Sequence, residues 1–225
     1  ELFSYIPSGI NWSNLGTLSR PDYSHRYFVD GPLVVSTREQ TPGQSILVGA
    51  LGKGGKGLFA LDVTTPASFG TSNFKWEKTA DDIAGTLADN NMGLVQGKPI
   101  IAKLNNNVMA LIVSNGINST NGRAVLLIYN LDTGALIREI DTGVGSAVQD
   151  DPNSNGLSPP VGWNQDGNST LDYIYAGDML GNAWKFDLSS ATPSAWGVAN
   201  AGSPLFTATG PDGTTRQPIT GTMTV

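Results

Sequence analysis

The sequence has no cysteine and a single histidine, His25. Without cysteine there are no disulfides, thiolate metal sites or cysteine nucleophiles, although this alone fixes no compartment. One histidine leaves no spare members for a metal-hydrolase cluster or most catalytic triads, and no G-x-S-x-G elbow accompanies it. In SHRYFVDGP, His25 is expected to fix a loop, and no catalytic residue is expected. Charge is also sparse, with 13 Lys and Arg against 19 Asp and Glu. The net charge of −6 and the scattered basic residues argue against a nucleic-acid partner. No run approaches the roughly 18 apolar residues of a membrane span, so no integral membrane segment is expected. Sustained helical periodicity is missing too; its nearest candidate, Thr79 to Asn90, is short and weakly amphipathic. No signal peptide is visible, and the strand-like opening at Glu1 reads as a cut rather than a natural start.

What is present is glycine, 28 residues of it, with 13 prolines and Asn, Thr and Ser between apolar runs. That is the texture of short strands joined by turns. Four segments open on proline followed by apolar residues, at Pro32, Pro99, Pro159 and Pro218, spaced by 67, 60 and 59 residues. Proline suits the first position of a strand, where its missing N–H costs no ladder bond. A second strand runs to glycine in SILVGA (Gly49), MALIVSNG (Gly116) and DYIYAG (Gly177), at spacings of 67 and 61. A third closes on Asp62, Asn130 and Asp187 in GLFALDV, AVLLIYNL and AWKFDL. Fourth strands are expected near Trp76 and Ile137.

Four-stranded units at this period predict an all-β fold, a β-propeller of four-stranded blades. The expected units are roughly 32–98, 99–158 and 159–217. Residues 1–31 are read as the end of a preceding blade plus a linker, because LFSYIP resembles LFALDV. Residues 218–225 are read as the first strand of the next blade. Three blades do not close a ring of four to eight, so the chain is expected to be one partial propeller domain. An irregular β-sandwich is the competing reading, and it leaves the repeated Pro, Gly and Asp positions unexplained.

The hairpin joining the first two strands is a tight polar turn in the second unit, LNNNV. In the third it expands to residues 164–172, with oxygen-bearing side chains at alternate positions: Asn164, Asp166, Asn168, Thr170 and Asp172. Calcium takes six to eight oxygen ligands, and a loop wrapping one ion presents alternate residues inward. Gly167 would help the chain curl, and Thr170 would serve through its carbonyl. Against this stand two neutral asparagines and a tyrosine, Tyr175, where a bidentate Glu would close a twelve-residue calcium loop. The same residues are also ordinary turn formers, so on spacing alone both readings stand.

GALGKGGKG, from Gly49, lacks the spacing and the Ser or Thr of a phosphate loop and reads as a turn. Trp163, Trp184, Trp196, Tyr173 and Tyr175 suggest a carbohydrate platform, but packing between blades is the commoner use. The sequons at Asn11, Asn118 and Asn168 are of a kind that arises by chance in so Asn-rich a chain. Asp150 and Asp151 read as an exposed loop.

Taken in order, ELFSYIPSGI, HRYFVDGP, LVGALGKGGKGLFALDVT and NGLSPPVGW…DYIYAGDMLGNAWKFDLS resemble the C-terminal propeller of the PilY/PilC family. These are type IV pilus biogenesis and tip-associated adhesin proteins. The resemblance implies a Ca2+ site in the loop before DYIYAGD, held by Asn164, Asp166, Asn168, Thr170 and Asp172. Asparagine replaces the family's usual aspartate at two of these positions. It further implies a non-enzymatic, exported protein of the pilus tip, cell surface, outer membrane or periplasm. Its partners would be minor pilins or other tip subunits, with host or abiotic surfaces beyond them. Roles in pilus biogenesis, twitching motility and attachment follow, with calcium biasing extension against retraction. The loop is expected to be mobile through Asp166–Asp172 repulsion until an ion orders it. Two alternatives remain: an exported carbohydrate-binding propeller, and a quinone-dependent dehydrogenase propeller.

Overall fold

The computed structural model describes residues 2–81, 87–148 and 151–225. Strands dominate it, in three antiparallel sheets that each use four consecutive strands. The first sheet holds β1 (Leu33–Val35), β2 (Ile46–Ala50), β3 (Gly57–Asp62) and β4 (Phe74–Thr79). A short β5 (Leu87–Ala88) adds to it in parallel with β4. The second holds β6 (Ile100–Lys103), β7 (Met109–Ser114), β8 (Arg123–Asn130) and β9 (Leu136–Gly145). The third holds β10 (Val161–Trp163), β11 (Tyr173–Gly177), β12 (Asn182–Asp187) and β13 (Gly197–Val198). A further strand, β14 (Phe206–Thr207), pairs with the other end of β12. Successive meanders of this kind, packed face to face, are blades of a β-propeller.

Burial explains why the three sheets read differently in sequence. One face of the second sheet, with Leu111, Val113, Val125 and Leu127, packs on Val48, Leu58, Ala60 and Trp76 of the first. Its other face, with Ala110, Ile112, Leu126 and Ile128, packs on Ile174, Trp184 and Phe186 of the third. A sheet covered on both sides needs continuous apolar runs, which MALIVS and AVLLIY supply. The third sheet buries one side against the second sheet and is crossed on the other by Ile219 at Gly177, and β12 alternates strictly between buried and half-buried residues.

The end segments pack against the first and third sheets. Residues 2–7 form no strand. They lie across the outer face of the first sheet, where Phe3, Tyr5 and Ile10 pack with Phe59, Leu61 and Phe69. Phe3 stacks on Phe69 at 4.0 Å between ring centroids. LFSYIP shares the apolar pattern of LFALDV but has no ladder neighbour here, so its side chains cover a sheet instead of its backbone extending one. Residues 218–225 likewise form no strand. The Ile219 amide donates to the Asp178 carbonyl at 3.0 Å, and its side chain rests against Gly177. The weak helical candidate is not a helix where it is described, since Thr79 ends β4 and Leu87 begins β5; residues 82–86 lie outside the described residues. The α-helix of the described residues is one turn, Trp12–Leu15, capped by the Asn11 side chain.

Candidate functional site

The 164–172 loop joins β10 to β11, and its ends are fixed by ladder pairing of Trp163 with Tyr173. Between them the chain curls through left-handed backbone at Gly167 (φ 75°) and Ser169 (φ 70°). Asn164 Oδ1 accepts from the Gly167 amide at 2.8 Å, Asp166 Oδ1 from Asn168 at 3.1 Å, and Asn168 Oδ1 from Thr170 at 2.8 Å. Each alternate side chain thus turns back over its own loop. Asp166 and Asn168 are exposed, whereas Asn164 and Thr170 are half-buried.

Asp172 is the fixed end of this arrangement. It is 5% exposed, and its Oδ2 accepts from the Gln165 amide across the mouth of the loop at 2.7 Å. Its Oδ1 accepts from Asn105 Nδ2 at 3.1 Å. Asn105 belongs to the tight hairpin of the second sheet, whose turn is closed by Asn107 N donating to Leu104 O at 2.8 Å. Its Nδ2 also lies 3.2 Å from Leu171 O and 3.1 Å from Leu188 O, while its Oδ1 lies 2.9 Å from Thr170 Oγ1, whose single proton it shares with Asn168 Oδ1 at 2.5 Å. One amide from a neighbouring blade therefore touches the loop, its carboxylate and the chain beyond β12. A groove of about 270 Å³ runs beside the loop, lined by Gln40, Lys103, Met109, Asn164, Thr170 and Leu171.

All five expected ligand residues therefore sit on one loop, with oxygens at alternate positions. The Asp166 and Asp172 carboxylates are each turned to amide donors, Asp166 to the Asn168 side chain and Asp172 to the Gln165 backbone and the Asn105 side chain. The donor set fits a hard cation: the Asp166 and Asp172 carboxylates and the Asn164 amide oxygen keep unused lone pairs after accepting one hydrogen bond per oxygen, whereas Asn168 Oδ1 already accepts from both the amide and the hydroxyl of Thr170 and would have to release one of them. With two carboxylates it fits calcium weakly. Among the described residues, no group of three or more His, Cys, Asp or Glu is placed to hold a metal, so any ion here depends on amide and carbonyl oxygens as well.

The aromatic candidates separate. Trp184 and Trp196 are each 1% exposed and belong to the core between the second and third sheets. Trp163 is 44% exposed and is not a core residue. Tyr173 and Tyr175 share a face with Lys185, whose Nζ lies 3.5 Å from the Tyr173 ring centroid. That cation occupies the ring face a sugar would stack on. His25 is exposed and packs edge-on to Tyr27 at 4.8 Å. The GALGKGGKG turn closes against the chain ahead of β1, with the Lys53 amide donating to Asp30 at 2.5 Å. Asp151 accepts from Ser146 Oγ at 2.7 Å; Asp150 lies outside the described residues.

Two polar residues carry more structure than their sequence context suggests. Asp178, fully buried after β11, accepts from Leu180 N, Asn182 N, Asn182 Nδ2, Asn155 Nδ2 and Trp184 Nε1 at 2.8–2.9 Å. The motif DYIYAGDMLGNAW signals it. Asn105 has no such signal, because its partners lie 65 to 83 residues away.

Residues 13–210 match a family model described as the PilY1 beta-propeller domain. A type IV pilus biogenesis factor PilY1 homolog of Xylella fastidiosa is 43% identical over 235 residues, covering 100% of this chain and 15% of that protein. The type IV pilus biogenesis factor PilY1 of Pseudomonas aeruginosa strain UCBPP-PA14 is 34% identical, covering 98% of this chain and 20% of that protein. The crystal structure of the Pseudomonas aeruginosa PilY1 C-terminal domain superposes with a TM-score of 0.74 at 32% identity, over 99% of this chain and 45% of that one. The chain thus spans a fifth or less of the length of these curated relatives.

Proposed function

The chain belongs to the PilY1 β-propeller family, and from that premise we propose that it is a non-enzymatic, calcium-binding part of a type IV pilus biogenesis factor. The observation that carries the calcium reading is the 164–172 loop, in which five oxygen-bearing residues alternate and the last, Asp172, is buried and held by a neighbouring blade. Bound calcium would neutralise the two carboxylates and draw the loop oxygens onto one centre. Asp166 and Asp172 supply the charge, Asn164 and Asn168 neutral oxygens, and Thr170 its carbonyl. With two charges the affinity falls in the weak range of about 10⁻⁴–10⁻³ M.

The non-enzymatic reading is supported by the naming of its relatives as biogenesis factors. The same kinship supports an exported protein at the pilus tip, cell surface, outer membrane or periplasm, working with minor pilins and other tip subunits. Among the described residues, no helix is long and apolar enough to cross a membrane. In this role the propeller is a rigid scaffold, and the loop together with its adjoining groove is the calcium-responsive surface it offers to a pilin.

Thermal melting in millimolar calcium and in chelator tests the site. A calcium-dependent rise in melting temperature, lost on Asp166→Asn, is expected; identical curves would sink the reading. Piliation and twitching of a strain carrying Asp166→Asn test the role, with a defect expected at calcium levels that saturate the native loop.

A further inference from the structure

The loop is not fastened to its own blade alone. The Leu171 amide donates to the Lys103 carbonyl at 3.0 Å, Leu104 bridges to Leu171 in parallel, and Leu104 itself is fully buried. Asn105 then contacts Thr170, Leu171, Asp172 and Leu188 through one side chain. An amide has two N–H donors and one acceptor oxygen. Here Nδ2 faces three acceptors, so the group is fully committed to the third blade.

We propose that Asn105 is the positioning residue that couples ion occupancy of the 164–172 loop to the junction between the second and third blades. The proposal rests on the calcium reading above. Its physical basis is that Asp172 is the one carboxylate of the loop held from outside it. A partner that orients a ligating carboxylate sets the position, and hence the entropy cost, of the ligand. Coupling free energies are reciprocal: if the hairpin of residues 104–108 tightens ion binding, ion binding tightens that hairpin by the same factor. Asn105 touches no ion in this scheme. It acts through Asp172 and Thr170, and it makes the junction, not only the loop, respond to calcium.

The first test needs no variant. Amide hydrogen exchange on the native protein, with calcium and with chelator, should show slower exchange in calcium at residues 105–108 as well as 165–172. Slowing confined to 165–172 would overturn the coupling while leaving the ion site standing. No slowing in either segment would overturn the calcium reading, and the coupling with it.

The second test uses terbium as the probe, because Trp163 adjoins Asn164, is exposed, and would sensitise terbium emission. Loss of that emission in Asp166→Asn assigns it to this loop. Asn105→Ala should weaken terbium binding about tenfold, with circular dichroism in chelator confirming that the variant is folded. Asn105→Asp keeps the oxygen facing Thr170 but sets a carboxylate against Asp172. It should melt lower in chelator and recover more in calcium than the native protein does. Native terbium affinity in both variants would reduce Asn105 to a structural contact and end the proposal.

Discussion

Asn105 and Asp172 are 67 residues apart in sequence, and the side-chain amide of one lies 3.1 Å from the carboxylate of the other. The two carboxylates of the loop are therefore unequal. Asp172 is buried and holds the Gln165 amide as well as Asn105, whereas Asp166 is exposed and serves only Asn168. Asp172→Ala should cost about 2 kcal/mol in chelator, because two donors lose their acceptor. Asp166→Ala should stay within about 0.5 kcal/mol. Urea unfolding checks both. Equal costs would mean that the burial of Asp172 is not what fastens the loop.

The largest single effect is expected at Asp178. Its carboxylate is the common acceptor for five donors from residues 155, 180, 182 and 184. Asp178→Ala strands several buried donors at about 1–3 kcal/mol each, so a loss of about 4 kcal/mol or failure to fold is expected. Trp184→Phe keeps most of the packing and deletes one donor, and should cost about 1 kcal/mol. A mild Asp178→Ala would show that water can take over this network.

Glu139 gives the fold a pH dependence. Burial first, then the Asp89 and Asp141 carboxylates, push its carboxyl above the ordinary value, against the Asn91 hydrogen bond and the Lys78 ammonium. A proton held more tightly in the folded chain than in the unfolded one stabilises the fold at low pH. That contribution is complete below the ordinary glutamate value of about 4.3 and is lost as pH rises through the raised one. Glu139→Gln cannot ionise and still offers Asn91 an oxygen. It should melt above the native protein at neutral pH, with the gap closing toward pH 4. A gap that widens on acidification would contradict the shift.

How much of this was legible follows from where each residue's partners sit. Asp62, Asn130 and Asp187 end the third strand of each sheet, and each accepts from the amide two residues on. That is a local Asx turn, so the repeat shows it directly. The glycine anchors misled about register. Leu51, Asn115 and Asp178 each donate their amide to the strand that follows, at matching places. Gly49, Gly116 and Gly177 therefore stand two before, one after and one before equivalent positions. Each is glycine for its own reason: Gly49 lies under the Phe59 ring, Gly116 has φ +69°, and Gly177 is crossed by Ile219. The loop's alternation was legible because it is local. Asn105, Trp163 exposure and the packing of residues 2–7 were not, because each depends on which sheet face the rest of the chain leaves uncovered.

Gly116 and Gly143 separate two costs that sequence alone merges. Both have positive φ, +69° and +74°. A Cβ at Gly143 meets nothing within 4 Å, whereas one at Gly116 would sit 2.1 Å from the Leu94 carbonyl oxygen. Gly143→Ala should therefore cost only the left-handed backbone penalty, about 1–2 kcal/mol. Gly116→Ala adds a backbone clash at a point where Leu94 N donates to Ile117 O at 2.7 Å, so the chain has little room to withdraw. A cost of about 3 kcal/mol or more is expected there, near the upper range of single substitutions. Equal destabilisation of the two variants in urea would mean that conformation alone, and not the close approach of residues 94–95, selects glycine at 116.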